Sequence, residues 1–151
     1  MNRTVDVEHK ELLTIGIDIG GTKVDTALID KSGKIISTHY RLLDPTRDAE
    51  KTIAAVIDSI GICFRESGKT SSAIGIGVAG QIDKTNGVVL QSPNLPTWHN
   101  IPLRARFEEA FNLPVAVNND VRASTWGEWR HGAGKSFNDL VCIFVGTGVG
   151  G

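Results

Sequence analysis

The spacing of apolar residues changes along the chain, and each change predicts an element. "LTIGIDI" at 13–19 predicts a buried strand, "VDTALID" at 24–30 an alternating one, and "KIISTHY" at 34–40 a third. Asp30-Lys31-Ser32-Gly33 supplies the turn between the last two. Apolar positions then fall at Ile53, Val56, Ile57, Ile60 and Phe64, the spacing of a helix with one face on a sheet, and Gly68 closes it. "AIGIGVAG" predicts a short buried strand and "QIDKTNGVVLQS" a hairpin turned at Asn86-Gly87, followed by a loop with Pro93 and Pro96. A second helix should begin near Pro102, face Leu103, Phe107, Ala110 and Phe111 inward, and end at Pro114. "PVAVNND" is a further strand, "VRASTWGEWRHG" a third helix ended by Gly132, and "DLVCIFV" a final strand running into "GTGVGG". Three meandering strands followed by helix, strand, helix and strand predict a mixed α/β sheet rather than a pure βαβ series.

The two ends of the chain echo each other. "TIGIDIGGTK" and "VCIFVGTGVGG" each run an apolar strand into a glycine turn, as expected of two similar folds in tandem with the second barely begun. The expected organisation is a polar leader over 1–12, a first lobe over 13–134, and over 138–151 the first strand and turn of a second lobe.

Composition narrows the function classes. At 151 residues and 40% hydrophobic content the chain can bury one core. Sixteen Lys and Arg against seventeen Asp and Glu give a formal charge of −1, so no electrostatic footprint for nucleic acid or an anionic membrane is present. The first residues carry acids rather than a signal-type apolar run, and no later apolar run approaches the ~18 residues of a span, so a cytoplasmic location is expected. Cys63 and Cys142 sit far apart in apolar runs and are expected to be core thiols, with no disulfide framework or zinc site.

The turn after the first strand is where chemistry enters. Glycine admits positive φ and lets another group reach the main chain, which suits Gly20 and Gly21 to converging N–H groups on a phosphate. A second strand follows Thr22 and Lys23, so this is neither a GxGxxG dinucleotide turn nor a Walker A loop. Asp18 at the strand end could hold Mg²⁺ through water, with Thr22 and Lys23 adding a hydroxyl and a positive charge for phosphate oxygens. A tight hairpin with a solvated lysine explains the same residues.

The companion motifs bear on that choice. "DIGGTK", "GIGVAGQID", "SPNLPTWHNIPL", "VNNDVRAS" and "GTGVGG" occur in that order from about Leu13 to Gly151, and together the chain resembles the ROK family of bacterial sugar kinases and sugar-sensing repressors. The resemblance implies a ribonuclease-H-like, actin-like ATPase fold, with this chain as the N-terminal lobe of a two-lobe kinase. It implies ATP and Mg²⁺ as cofactors and a hexose or N-acetylhexosamine as substrate. Phosphate contacts would fall to Asp18, Gly20, Gly21, Thr22 and Lys23, and, in a second loop, to Gly146, Thr147 and Gly148. Around the sugar it implies Gly80, Asn94, Asn119 and Asp120, with Gln81 a weaker candidate.

Asp120 stands where a strand hands over to a helix, and is the candidate general base for the attacking sugar hydroxyl. With a reference pKa of about 3.9 it is a weak base, which a loose phosphoryl-transfer transition state tolerates. Asp120 or Asn119 could equally cap the third helix, and Asn94 could be a turn residue satisfying its own backbone. Trp98, Trp126 and Trp129 are expected to pack rather than stack on sugar, and Glu128 and His131 to be solvated or structural. Family members run to about twice this length, and the rest of the nucleotide pocket, the remaining sugar contacts and the zinc-binding cysteines lie in that other half. No zinc ligand is therefore expected here, little or no activity is expected of this chain alone, and a homo-oligomer is expected at full length. A transcription repressor of the same family and a stand-alone sugar-binding or interaction module are the competing functions. The "SPNLP" segment leans the sugar toward glucose by resemblance.

Overall fold

The computed structural model describes residues 12–145 and 149–151. Three strands form the predicted meander, β1 Leu13–Ile19, β2 Lys23–Asp30 and β3 Ile35–Leu42, and α1 Ala49–Ser67 follows. Then come β4 Ala73–Val78, the short strands β5 Gln81–Asp83, β6 Val88–Gln91 and β7 His99–Ile101, and α2 Leu103–Phe111. β8 Val115–Asn119, α3 Asp120–His131, β9 Phe144–Val145 and β10 Val149–Gly150 complete the described chain.

The main sheet has the order β3-β2-β1-β4-β8, antiparallel among β1, β2 and β3 and parallel from β1 through β4 to β8. This is the mixed sheet the element order predicted, of ribonuclease-H-like type. Alternation along β1 drives it: Leu13, Ile15, Ile17 and Ile19 are buried and face α1, while Thr14, Gly16 and Asp18 face the other side. Ile53, Val56, Ile60 and Cys63 fill the facing side of α1, with α2 beside it through Phe107 and an edge-on contact of Phe64 with Phe111. Asp48 caps α1 by accepting from the Lys51 N–H at 3.0 Å, and Gly68 ends it at φ +65°.

The small sheet β5-β6-β7 is fastened to α2 by Arg104, whose guanidinium donates to the carbonyls of Thr85 (2.7 Å) and Lys84 (2.9 Å). Its turn is a four-residue loop over 84–87 rather than a tight Asn-Gly turn. The Asp83 carboxylate accepts from the N–H groups of Thr85 and Asn86, which lengthens the loop and leaves only Gly87 at positive φ. β7 lies in what the sequence presented as loop; two pairings with β6 form it, and so short a strand leaves no periodicity to read.

Three sequence expectations are corrected. The final strand expected over "DLVCIFV" contains only Phe144 and Val145, paired with β10; without a place in the main sheet, Val141, Ile143 and Val145 stay 84%, 71% and 80% exposed. Cys142 is accordingly not a core thiol, whereas Cys63 is. Ala110 is exposed, because α2 ends at Phe111 with Asn112 in the left-handed region and only Leu103 and Phe107 are fully turned inward. Among the described residues no helix is long and apolar enough to cross a membrane.

Candidate functional site

The ends of β1, β4 and β8 bring the candidate residues together. Asp18 on β1 is in register with Gly77 on β4, and Gly77 with Asn118 on β8. Gly77 is the hinge of this arrangement, and the sequence reading missed it. A Cβ there would lie 3.4 Å from the Asp120 Cα and from the Ala123 Cβ, so its bareness lets the start of α3 settle onto the sheet beside Asp18. A glycine interrupting the apolar alternation of "AIGIGV" was the available signal.

Asn119 and Asp120 divide the labour at that handover. Asn119 is the cap of α3, accepting from the Arg122 N–H at 3.3 Å, and its amide donates to the Gly80 carbonyl at 3.2 Å. It lines a cleft of about 670 Å³ with Gly80, Gln81, Gln91, Ser92 and His99. Asp120 accepts from the Val121 N–H at 2.9 Å and lines a separate trough of about 650 Å³ that also contains Asp18 and Asp25. Neighbours in sequence thus face two adjoining cavities.

Gly80 has a structural reason to be glycine. It sits at φ +143°, and a Cβ would fall 2.4 Å from the Gln91 carbonyl oxygen and 3.1 Å from the Ser92 Cα. The close approach is by the 91–92 backbone, which seats the small sheet against the strand end.

The phosphate-loop candidates form a tight hairpin end, closed by a hydrogen bond from the Gly20 N–H to the Lys23 carbonyl at 3.0 Å. Only Gly33, Gly68, Gly80 and Gly87 are described as glycines of positive φ, so Gly20 and Gly21 are not there for that conformation. A Cβ on Gly21 would lie 3.0 Å from the Asn94 Cβ, whereas one on Gly20 would meet, among the described residues, only Lys23, its carbonyl oxygen at 3.4 Å and its Cγ at 4.0 Å. Asn94 therefore packs on the turn at Gly21 and is not among the residues lining the cleft of Gly80 and Asn119. Its side chain makes no hydrogen bond to its own backbone among the described residues. Its carbonyl instead accepts from Arg47 at 3.2 Å, and Thr97 donates to the Arg47 carbonyl at 2.8 Å. Arg47, in the left-handed region at φ +53°, thereby pins the loop from both directions, a role invisible in sequence because it joins residues about fifty apart.

Lys23 pairs with Asp25 at 2.9 Å and lies 5.7 Å from the Tyr40 ring centre. Lys23 is exposed, as the plain-hairpin alternative expects, with Asp25 as its ion-pair partner. Asp25 raises the Lys23 pKa through a hydrogen bond and its charge. The Asp18 carboxyl is also held above its ordinary range, first by partial loss of water and then by the charges of Asp120 and Asp25, with Lys23 opposing. A site of this kind favours an arriving cation, which would relieve the repulsion. Among the described residues no three His, Cys, Asp or Glu side chains are placed to enclose a metal ion, so a cation here would rest on Asp18 with water completing its shell. Gly146, Thr147 and Gly148 lie outside the described residues.

Trp98 is fully buried, as expected, but Trp126 is 60% exposed and edge-on to Trp129 at 5.2 Å. Glu128 accepts from the Ala133 N–H at 3.1 Å and so serves the end of α3.

Known proteins resemble this chain in sequence and fold. A family model described as the ROK family matches residues 14–151. The glucokinase of Streptomyces coelicolor is 40% identical over 141 residues, covering 92% of this chain and 42% of that protein. The crystal structure of a ROK family glucokinase from Streptomyces griseus in complex with glucose and AMPPNP superposes with a TM-score of 0.83 at 40% identity, over 91% of this chain and 43% of that one. The xylose repressor of Caldicellulosiruptor bescii is 36% identical over 139 residues, covering 90% of this chain and 35% of the repressor. The chain thus spans less than half the length of these relatives.

Proposed function

The chain belongs to the ROK family, and from that premise we propose that it forms the N-terminal lobe of an ATP-dependent hexose kinase and presents a sugar hydroxyl to the phosphate loop. The observation that carries this reading is the division between Asn119 and Asp120. Asn119 reaches the cleft of Gly80, while Asp120 faces the cavity of Asp18.

A hexose in the first cleft would meet the Asn119 amide and the polar side chains of Gln81, Gln91 and His99. The hydroxyl to be phosphorylated would then stand at Asp120, whose carboxylate accepts its proton as the oxygen attacks. Proton loss is late in a loose transition state, so Asp120 acts chiefly by orienting that oxygen. The fit to a nucleotide rests on Gly20, where an added Cβ would touch only Lys23 among the described residues, and on Asp18, whose raised pKa a cation would bring down. MgATP, when bound, supplies the phosphoryl group and the cation. Asp18 would hold the metal through water, the amides of Gly21 and Thr22 would face phosphate oxygens, and Lys23 would leave Asp25 for the same oxygens. With one lobe, water exclusion and alignment are incomplete, so this chain alone should turn over little or nothing.

Glucose is the proposed sugar, on the 40% identity to the Streptomyces proteins, and a cytoplasmic location accords with that substrate. The likeness to the xylose repressor favours a second reading, in which the same lobe senses sugar without catalysis. The test is ATP-dependent ADP formation by the protein at its natural length, measured with glucose, fructose, allose, N-acetylglucosamine and N-acetylmannosamine. Turnover with one of these supports the kinase. Absence of turnover together with sugar-dependent release of DNA would establish the repressor instead.

A further inference from the structure

The segment over 92–99 touches three parts of the fold at once. Leu95 and Trp98 are fully buried and anchor it in the core. Ser92, Pro93, Pro96 and His99 line the cleft shared with Asn119. Asn94 lies against the turn after β1, where a Cβ on Gly21 would be 3.0 Å from the Asn94 Cβ and 3.5 Å from its carbonyl oxygen. One short segment therefore borders both the cleft and the turn. Two of its buried donors, the Ser92 hydroxyl and the Trp98 indole N–H, have no hydrogen-bond partner among the described residues. The anchor in the core is thus apolar, and apolar contact is non-directional, so it does not by itself fix the segment against the turn.

Direction comes from Arg47. Its guanidinium donates to the Asn94 carbonyl at 3.2 Å, and its own carbonyl accepts from the Thr97 hydroxyl at 2.8 Å. The stretch before it holds the turn: the Leu43 N–H donates to the Thr22 carbonyl at 2.9 Å, and the Arg47 N–H closes back on the Asp44 carbonyl at 2.8 Å. A ring of contacts thus runs from Thr22 through Leu43 and Arg47 to Asn94 and back to Gly21. Arg47 closes this ring from the left-handed region, at φ +53°, which glycine would occupy without strain. A residue so strained persists only where its surroundings over-determine it, and such residues gather at functional sites.

We propose that Arg47 is a positioning residue for phosphoryl transfer: by locking the 92–99 segment to the turn at Gly21, it keeps a sugar hydroxyl in the cleft aligned with a phosphate at the turn. The inference rests on the kinase reading above. Arg47 is not among the residues lining either cavity, so it acts through Asn94 and Thr97 and adds no contact to either ligand. Its loss leaves both sites built but free to shift against each other. Phosphoryl transfer depends chiefly on alignment, and a displacement of about 1 Å can lower the rate by about 10²-fold.

The test is steady-state kinetics of Arg47→Gly and Thr97→Val in the natural-length protein, with ATP and the sugar that the wild type turns over fastest. Glycine removes the guanidinium and relieves the backbone, so the urea midpoint should hold or rise. In the same variant kcat should fall by about 10-fold to 100-fold, while KM for sugar and for ATP changes less than about threefold. A strut serving stability alone would not pair a slower enzyme with an undiminished fold. Thr97→Val removes the second bond at an exposed position and should lower kcat in the same sense; Thr97→Ser, which keeps the hydroxyl, should recover most of that loss. Wild-type kcat in both Arg47→Gly and Thr97→Val overturns the inference and leaves the kinase reading standing. So does a sugar KM that rises with kcat kept, or a urea midpoint that falls along with kcat. No turnover by the wild type with any of the five sugars would overturn the kinase reading and this inference with it.

Discussion

Replacing Gly80 by alanine tests the junction between the main sheet and the cleft lined by Asn119. At φ +143° an alanine is strained by about 1–3 kcal/mol. Its Cβ would also press on the Gln91 carbonyl oxygen at 2.4 Å and on Ser92 at 3.1–3.2 Å. These atoms belong to the last residue of β6 and the residue after it, and β6 is held by pairing to β5 and β7, so relief requires moving the small sheet, an overpacking cost of about 1–3 kcal/mol. The two add to roughly 2–6 kcal/mol, a large part of the 5–15 kcal/mol that holds a typical domain folded. In a urea titration followed by circular dichroism, with a slope of about 1–3 kcal/mol per molar, the midpoint should fall by about 0.7 M or more. A shift below about 0.3 M would refute the reasoning, because it would mean that β6 yields freely and does not fix Gly80 beneath the Asn119 amide.

Other substitutions probe separate parts of the fold and site. Gly127→Ala, in mid-helix with nothing within 4 Å of the new Cβ, should stabilise the chain by about 0.5–1 kcal/mol in the same titration. Asn119→Ala removes the α3 cap and leaves the Gly80 carbonyl without the Asn119 donor, and should lower stability by about 1–3 kcal/mol. Asp18→Asn should raise the melting temperature at neutral pH. Burial and the charges of Asp120 and Asp25 hold the folded-state pKa of Asp18 above the ordinary carboxylate value, so its ionised form is disfavoured by folding. The wild type recovers that stability as the pH falls through the folded pKa, and the advantage of the variant should vanish below the unfolded value. A gap between the two melting curves that widens toward acid would contradict this sign.

Where side-chain periodicity was long, the sequence could be read directly. Ile53, Val56 and Ile60 marked α1, the alternation in "LTIGIDI" marked β1, and the same pattern failed at "DLVCIFV", where apolar residues have no sheet to join. Site residues were legible as types at element ends: Asp18, Asn119 and Asp120 stand on one rim because parallel strands deliver their C-terminal ends together. Their division between two cavities was not legible, since it depends on which way α3 lies over Gly77. The meaning of the glycines was the hardest to read. Gly21 is bare for Asn94 and Gly80 for Gln91, contacts that the chain makes only once folded, whereas a Cβ on Gly16 or Gly75 would be crowded by nothing closer than 3.4 Å among the described residues.

The proposed division of labour between Asn119 and Asp120 is tested most directly by Asp120→Asn in the natural-length protein, with turnover and sugar affinity measured side by side. Turnover should fall by roughly 10²–10⁴, as for loss of a general base, while glucose binding changes only a few-fold, because the cleft of Gly80 and Asn119 is untouched. Turnover kept within about tenfold of wild type would contradict the assignment and place the proton acceptor elsewhere.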